Sequence, residues 1–344
     1  MRKRWIIAVA VLLVAAGGYV GYWFWIAGQV NRNLDTWAEE WRAVGYRIEA
    51  PRSAVQGFPL VLHVDIGDII IASPGSRHWT WTKLAGLSAV EVRPWQPFSP
   101  IVSFSGTSRL ELVDGSVVRA FELSASNASA AIALAQDGRP DTALFGGTGI
   151  KVTELGAAAA TIASASGRAR LLPTEDRPTS DTAEFEITLQ QLALPAAQQV
   201  PLGPVIAELT LRGRFRGSLP MGNLAQSLAS WRDAGGTVEL TDATADWGPL
   251  GVSGNATLAL DRDLQPLAAG TAQIRGYAEA IDKAVDSGLM PFAEGVATKL
   301  ALAATARPAN GGSALEAHVP VTIQDGFLSV GPLKLMQMPH VEWW

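Results

Sequence analysis

The longest apolar stretch stands at the start of the chain: Trp5 to Ala27 is 23 residues without a charge. As an α-helix rising 1.5 Å per residue it is about 35 Å long, enough to cross roughly 30 Å of hydrocarbon. Trp5 marks one end, and Tyr19, Tyr22, Trp23 and Trp25 crowd the other, where amphipathic rings gain by resting at headgroup level. Arg2, Lys3 and Arg4 hold a short N-terminus on the cytoplasmic side. The pattern predicts a cytoplasmic N-terminus at 1–4 and a transmembrane anchor at 5–27. A cleaved signal peptide is the competing reading, because Val14-Ala15-Ala16 ends on a small residue. The eleven apolar residues beyond it favour the uncleaved anchor. Both readings put the rest of the chain outside the cytoplasm.

The period then changes. Leu34, Trp37, Trp41 and Val44 recur three and four apart, with Asp35, Glu39, Glu40 and Arg42 largely between them. This predicts an amphipathic helix over 28–45, stopped near Gly45. From 46 to 344 most of the chain reads as strand. LVLHVDIGDIIIA at 60–72 and WTWTKLAGLSAVEVR at 79–93 open a series of extended segments. Further segments are expected at 101–105, 108–113, 117–124, 130–136, 148–155, 160–172, 182–194 and 203–216. The last are 236–245, 250–260, 269–276, 314–324 and 326–335. Asp114-Gly115, Asp137-Gly138 and Asp325-Gly326 are hairpin turns by composition. Short links of this kind favour antiparallel neighbours, since parallel crossovers need about a dozen residues. Three helices interrupt the strands. Asn223–Ala234 carries Leu224, Leu228 and Trp231; Tyr277–Ser287 sets Ile281 and Val285 four apart; Phe292–Arg307 does the same with Val296 and Leu300. The expected fold is mainly β (α+β): a long, curved antiparallel sheet with a few covering helices, preceded by one transmembrane helix. The polar stretch PTEDRPTS at 173–180 reads either as a domain boundary or as a surface loop within one continuous sheet. Gly203-Pro204, Gly248-Pro249 and Gly331-Pro332 read as bends or sheet edges.

Composition narrows the function classes. Cysteine is absent, which removes disulfides, thiolate metal sites and thiol nucleophiles. Arg2, Lys3 and Arg4 are three of 27 basic side chains, so the remainder sets 24 against 32 acidic groups, a net charge of −8. That balance opposes a broad nucleic-acid surface. His63, His78, His318 and His340 fall in separate segments, so neither a metal nor a cofactor is called for. Asp65 with Asp68, and Glu175 with Asp176, read as strand-turn and loop residues rather than an acid–base pair. No phosphate loop or G-x-S-x-G elbow is present in the sequence. Arg212, Arg214 and Arg216 alternate along one strand. They form either a solvated sheet face or a row of guanidiniums for phosphate or headgroup contact.

Trp247-Gly248-Pro249-Leu250, Leu260-Asp261, Leu264-Gln265-Pro266, Asp325-Gly326-Phe327-Leu328, Gly331-Pro332-Leu333 and Pro339 together resemble a bacterial family known as domain of unknown function 2125. The resemblance implies a proteobacterial envelope protein without an assigned reaction. In architecture the chain also resembles, more distantly, the AsmA-type envelope proteins, with a proposed role in lipid or outer-membrane homeostasis. The expected function is noncatalytic: a single-pass inner-membrane protein, anchored through residues 5–27, whose periplasmic body binds or helps handle an apolar envelope component such as a lipid. A structural protein-interaction module in the envelope is the alternative, and an envelope hydrolase a remote one.

Overall fold

The computed structural model describes residues 2–135, 139–155, 157, 159–172, 180–195, 201–220, 222–308, 315–331 and 333–343, with the side chains of residues 2–10, 333, 335 and 336 left aside. The chain begins with one unbroken helix, α1 (Arg2–Ala43), of 42 residues. The apolar run and the amphipathic segment after it are thus a single rod. It is the one helix among the described residues long and apolar enough to cross a membrane. Gly45, at a φ of 96°, ends it, because a left-handed residue cannot continue a helix and glycine adopts that conformation without strain.

The body is one open antiparallel sheet. Short strands come first: β1 (Arg47–Glu49), β2 (Leu62–Asp65), β3 (Ile70–Ala72), β4 (Arg77–Ala85) and β5 (Ser88–Arg93). Long strands follow: β6 (Gln96–Asp114), β7 (Val117–Leu134), β8 (Pro140–Glu154), β9 (Ala160–Leu171), β10 (Asp181–Ala193) and β11 (Val205–Arg216). After α2 (Leu224–Asp233) come β12 (Thr237–Trp247), β13 (Leu250–Leu260) and β14 (Pro266–Arg275). The last elements are α3 (Tyr277–Asp286), α4 (Phe292–Ala304), β15 (Ala306–Pro308), β16 (Leu315–Gln324), β17 (Phe327–Val330) and β18 (Leu333–Gln337).

From β6 to β14 each strand pairs antiparallel with the next in sequence, and β14 passes to β16, which continues through β17 to β18. At the other end β4 and β5 lie end to end along one edge of β6. β3 and then β1 extend from β4, and β2 extends from β5. Residues 173–179 and the Asp137-Gly138 turn lie outside the described residues; β9 and β10, on either side of the first, pair with each other throughout. Asp114-Gly115 and Asp325-Gly326 form tight hairpin turns, and Asp325 and Gly326 both have positive φ, 52° and 72°. Gly203 and Gly248 also stand at positive φ in the turns entering β11 and β13, and the Trp247 indole donates to the Gly203 carbonyl at 2.8 Å.

Neighbouring strands rotate by roughly 20°, so the seven steps from β4 to β12 add up to about 140°. The sheet therefore curls until distant segments meet. The Tyr46 hydroxyl donates to the Gly222 carbonyl at 3.0 Å, and the Asn223 amide reaches the Pro74 carbonyl. The Trp343 indole closes onto Leu264 at 2.7 Å. At the end of the sheet's first part, α1 is held by Trp23, Ile26 and Ala27, buried against Leu62, Val90 and Val92. At the far end, Ile281 of α3 and Leu302 of α4 bury Ala272, Ala317, Val319 and Val330. α2 docks through Trp231, whose ring stacks on Phe215 at 5.1 Å. α4 is oriented otherwise than its spacing suggests: Val296 and Leu300 are exposed, while Gly295, Thr298 and Leu302 are buried. Its apolar residues run all round the helix, so period alone could not choose the inner face.

Candidate functional site: one apolar face

Side chains directly opposite in a ladder point to the same side of a sheet, so the register traces each face across the strands. One row runs Val64, Val90, Val102, Ala130, Phe145, Gly167, Ile187, Leu211, Ala243, Gly254, Ala272 and Val319. It crosses twelve strands without one polar side chain. At about 4.8 Å per strand spacing it follows the sheet for roughly 50 Å. A second row, from Ala128 through Gly147, Ala165, Leu189, Leu209, Ala245, Val252 and Ile274 to Ala317, is equally apolar. A third runs from Ile132 through Ala143, Ala169, Phe185, Gly213, Leu240, Ala256 and Gly270 to Val321.

Helices cover both ends of this face. Val90 and Val102 belong to the cluster that receives α1. Ala272 and Val319 belong to the cluster beneath α3 and α4. The clusters beneath α1 and beneath α3 and α4 include no residue of β7 to β10. No side chain on this face of those four strands is fully buried, and Phe145 keeps 40% of its surface exposed. An apolar face this long, open across four strands, marks an interaction surface rather than a finished core.

The opposite face is polar. Arg212, Arg214 and Arg216 all lie on it, and each meets carboxylates across the ladder. Arg212 bridges Glu186 at 2.8 Å and Asp242 at 3.0 Å. Arg214 faces Glu184 at 3.3 Å and Asp181 at 3.6 Å. Arg216 pairs with Asp181 at 3.0 Å and Glu239 at 2.6 Å. The hydrogen bond and charge of Glu186 push the Arg212 guanidinium above its usual range. The three arginines are thus brought together, but as cross-strand stitching whose charges are already matched. Two cations that sequence reasoning passed over, Arg168 and Arg170, line a shallow pocket of about 350 Å³ beside them. The register that carries Arg168 to Glu186 and Arg170 to Glu184 has no counterpart in local spacing, so only the alternation RAR at 168–170 could have drawn attention to them.

No group of three or more His, Asp or Glu suited to a metal ion is formed among the described residues. His63, on β2, is held between two carboxylates. Its ring nitrogens lie 2.9 Å from Asp65 and 3.0 Å from Glu91 of β5. The Asp65 hydrogen bond raises the imidazole pKa above 6.5; burial opposes this, and Glu91 adds to it. A raised folded-state pKa stabilises the fold below the ordinary pKa, and that contribution is lost as pH rises through the raised value. Thermal unfolding of the wild type is therefore expected to lose more stability than His63→Gln between pH 6 and pH 8. Parallel pH slopes for the two proteins would remove this role.

A model of the family described as "Uncharacterized protein conserved in bacteria (DUF2125)" matches residues 23–339. No curated protein and no solved structure matches the chain.

Proposed function

The chain belongs to the bacterial DUF2125 family, and from its geometry we propose a noncatalytic, membrane-anchored envelope protein that holds an apolar component, a lipid acyl chain, against the open face of its sheet. α1 anchors the protein in the inner membrane, with the body in the periplasm. One observation carries the reading: the apolar row begins on strands that pack against α1 and continues across β7 to β10, where no side chain of the row is fully buried. A lipid tail leaving a bilayer beside α1 meets apolar surface continuously from there onward. The polar face, with its matched charges, keeps the other side of the sheet in water.

Acyl chains gain about 0.8 kcal/mol for each methylene taken out of water. A face lined by alanine, glycine and branched aliphatics offers that gain without selecting a headgroup. The test is extraction and mass spectrometry of lipids from full-length protein purified in detergent, together with crosslinking from a photoreactive residue at Ile187. Crosslinked lipid at Ile187 and none at Thr188, on the polar face, supports the reading. Equal crosslinking at both, or none, sinks it.

A second reading, a module for a protein partner, has one observation in its favour. Phe292, Val296 and Leu300 leave an exposed apolar stripe along α4, and Leu289 is exposed just before it. Protein adducts at Leu300, with no lipid at Ile187, would favour it.

A further inference from the structure

α1 meets the body too early for its free part to cross a bilayer. The Tyr19 hydroxyl donates to the Pro59 carbonyl, and the Tyr22 hydroxyl donates to the Pro94 carbonyl at 2.8 Å. Trp23 is only 3% exposed and Ile26 2%, both packed on the sheet. The apolar helix below this contact is Trp5 to Gly18, which at 1.5 Å per residue reaches about 21 Å. The hydrocarbon layer is about 30 Å thick. Either the bilayer thins by roughly 9 Å, at a cost for each ångström, or part of the body enters it.

The body segments that touch this stretch of helix are built for entry. Gln56-Gly57-Phe58-Pro59-Leu60 and Pro94-Trp95-Gln96-Pro97-Phe98 contain no charged residue. Phe58 sits edge-on to Trp23 at 5.5 Å and stacked with Phe24 at 6.5 Å. Tyr22 stacks with Trp25 at 6.3 Å. Beside these rings Leu60 is 66% exposed, Trp95 59% and Phe98 51%, and on the helix Phe24 and Trp25 are 62% and 58%. In water such a collar is costly. At a membrane interface, aromatic rings and an apolar loop tip are stable.

We infer that the two loops form a collar around α1 that sits within the bilayer, so that the body rests on and partly in the leaflet facing it. The partner is the lipid bilayer itself. The collar completes the span that the helix alone leaves short, and it fixes the sheet's first strands at the membrane surface rather than on a free tether. This rests on α1 crossing the membrane, and is independent of whether the sheet binds lipid.

The chain has no cysteine, so single cysteines report without background. Full-length Leu60→Cys, Trp95→Cys, Leu12→Cys, Val118→Cys and Ile187→Cys variants, each labelled with bimane, are reconstituted in vesicles of phosphatidylethanolamine and phosphatidylglycerol. Part of the lipid is brominated on its acyl chains. Leu12 marks the span, Val118 marks an exposed hairpin at the opposite end of β6 from Phe98, and Ile187 reports lipid on the sheet. The expected result is quenching at 60 and 95 several-fold above that at 118 and approaching that at 12. Quenching at 60 and 95 no greater than at 118 overturns the collar, whatever Ile187 reads. If the label at 12 also escapes quenching, the span fails and the collar with it. All five positions are exposed or half-exposed, and a label there leaves the packed contacts intact.

Discussion

Replacing Leu189 by aspartate is expected to strip the protein of bound lipid, while the same replacement one residue on, Gln190→Asp, leaves binding as it was. The two side chains are neighbours in β10 and point to opposite faces. Leu189 stands in an apolar row between Ala165 and Leu209. Gln190 is exposed on the other side and accepts a hydrogen bond from Ser164 at 3.0 Å. A carboxylate at 189 would have to be stripped of water for an acyl chain to lie over it, which is strongly unfavourable. The tail would instead lift from the face there. Losing contact with three methylenes costs roughly 2 kcal/mol, a fall in retention of about thirty-fold. The measurement is lipid recovered per mole of protein, with the unfolding transition checked in parallel. Leu189→Ser, which adds no charge, covers the case in which the aspartate weakens the fold, and should lose part of the effect. Retention unchanged in both Leu189 variants would mean that lipid, if bound, lies elsewhere.

This contrast depends on register, which explains what was and was not legible in the sequence. The large elements could be read. β13 spans 250–260 as its alternation predicts, and α2, α3 and the start of α4 fall within a residue of their expected positions. Here apolar spacing and turn residues agree. Segments expected at 101–105 and 108–113 are one strand, β6, and those at 117–124 and 130–136 are one strand, β7. Small residues such as Ala125 and Ala128 interrupt the hydropathy signal without interrupting the ladder. The segment at 79–93 fails the other way, dividing at Gly86 into β4 and β5. An apolar surface could be expected from the sequence but not located in it, for a related reason. Ala130, Gly167, Ala243, Gly254 and Ala272 hardly register in a hydropathy pattern, and only pairing with Phe145, Ile187 and Leu211 makes them a surface. The carboxylates that match Arg212 lie 26 and 30 residues from it. A local reading of the three arginines therefore left their partners out.

The division at Gly86 leads to the largest expected loss of stability, in Gly86→Ala. Gly86 has a φ of 101° and faces Gly106, which has a φ of 103°. A Cβ at Gly86 would overlap the carbonyl of Ser105, and one at Gly106 the carbonyl of Ala85. The two glycines let the chain leave β4 and begin β5 while β6 bends beneath. That crossing puts β4 and β5 end to end on the same strand, with register shifts in β6 at Gly106 and against β4 near Ala85. An alanine there must hold a disfavoured dihedral, at about 1–3 kcal/mol, and must also push backbone from backbone, at a further 1–3 kcal/mol or so. Gly115→Ala separates the two effects. Gly115 also has positive φ, 59°, but nothing lies within 4 Å of its added Cβ, so only the dihedral cost of about 1–2 kcal/mol applies. Urea unfolding should place Gly86→Ala well below Gly115→Ala in midpoint. Because β5 carries Val90 and Val92 beneath α1, Gly86→Ala should also loosen the helix, seen as faster exchange of the Tyr22 and Trp23 side-chain environments by NMR. Equal midpoints for the two variants would mean that the strands can separate at this crossing without cost, and that the packing of α1 does not depend on it.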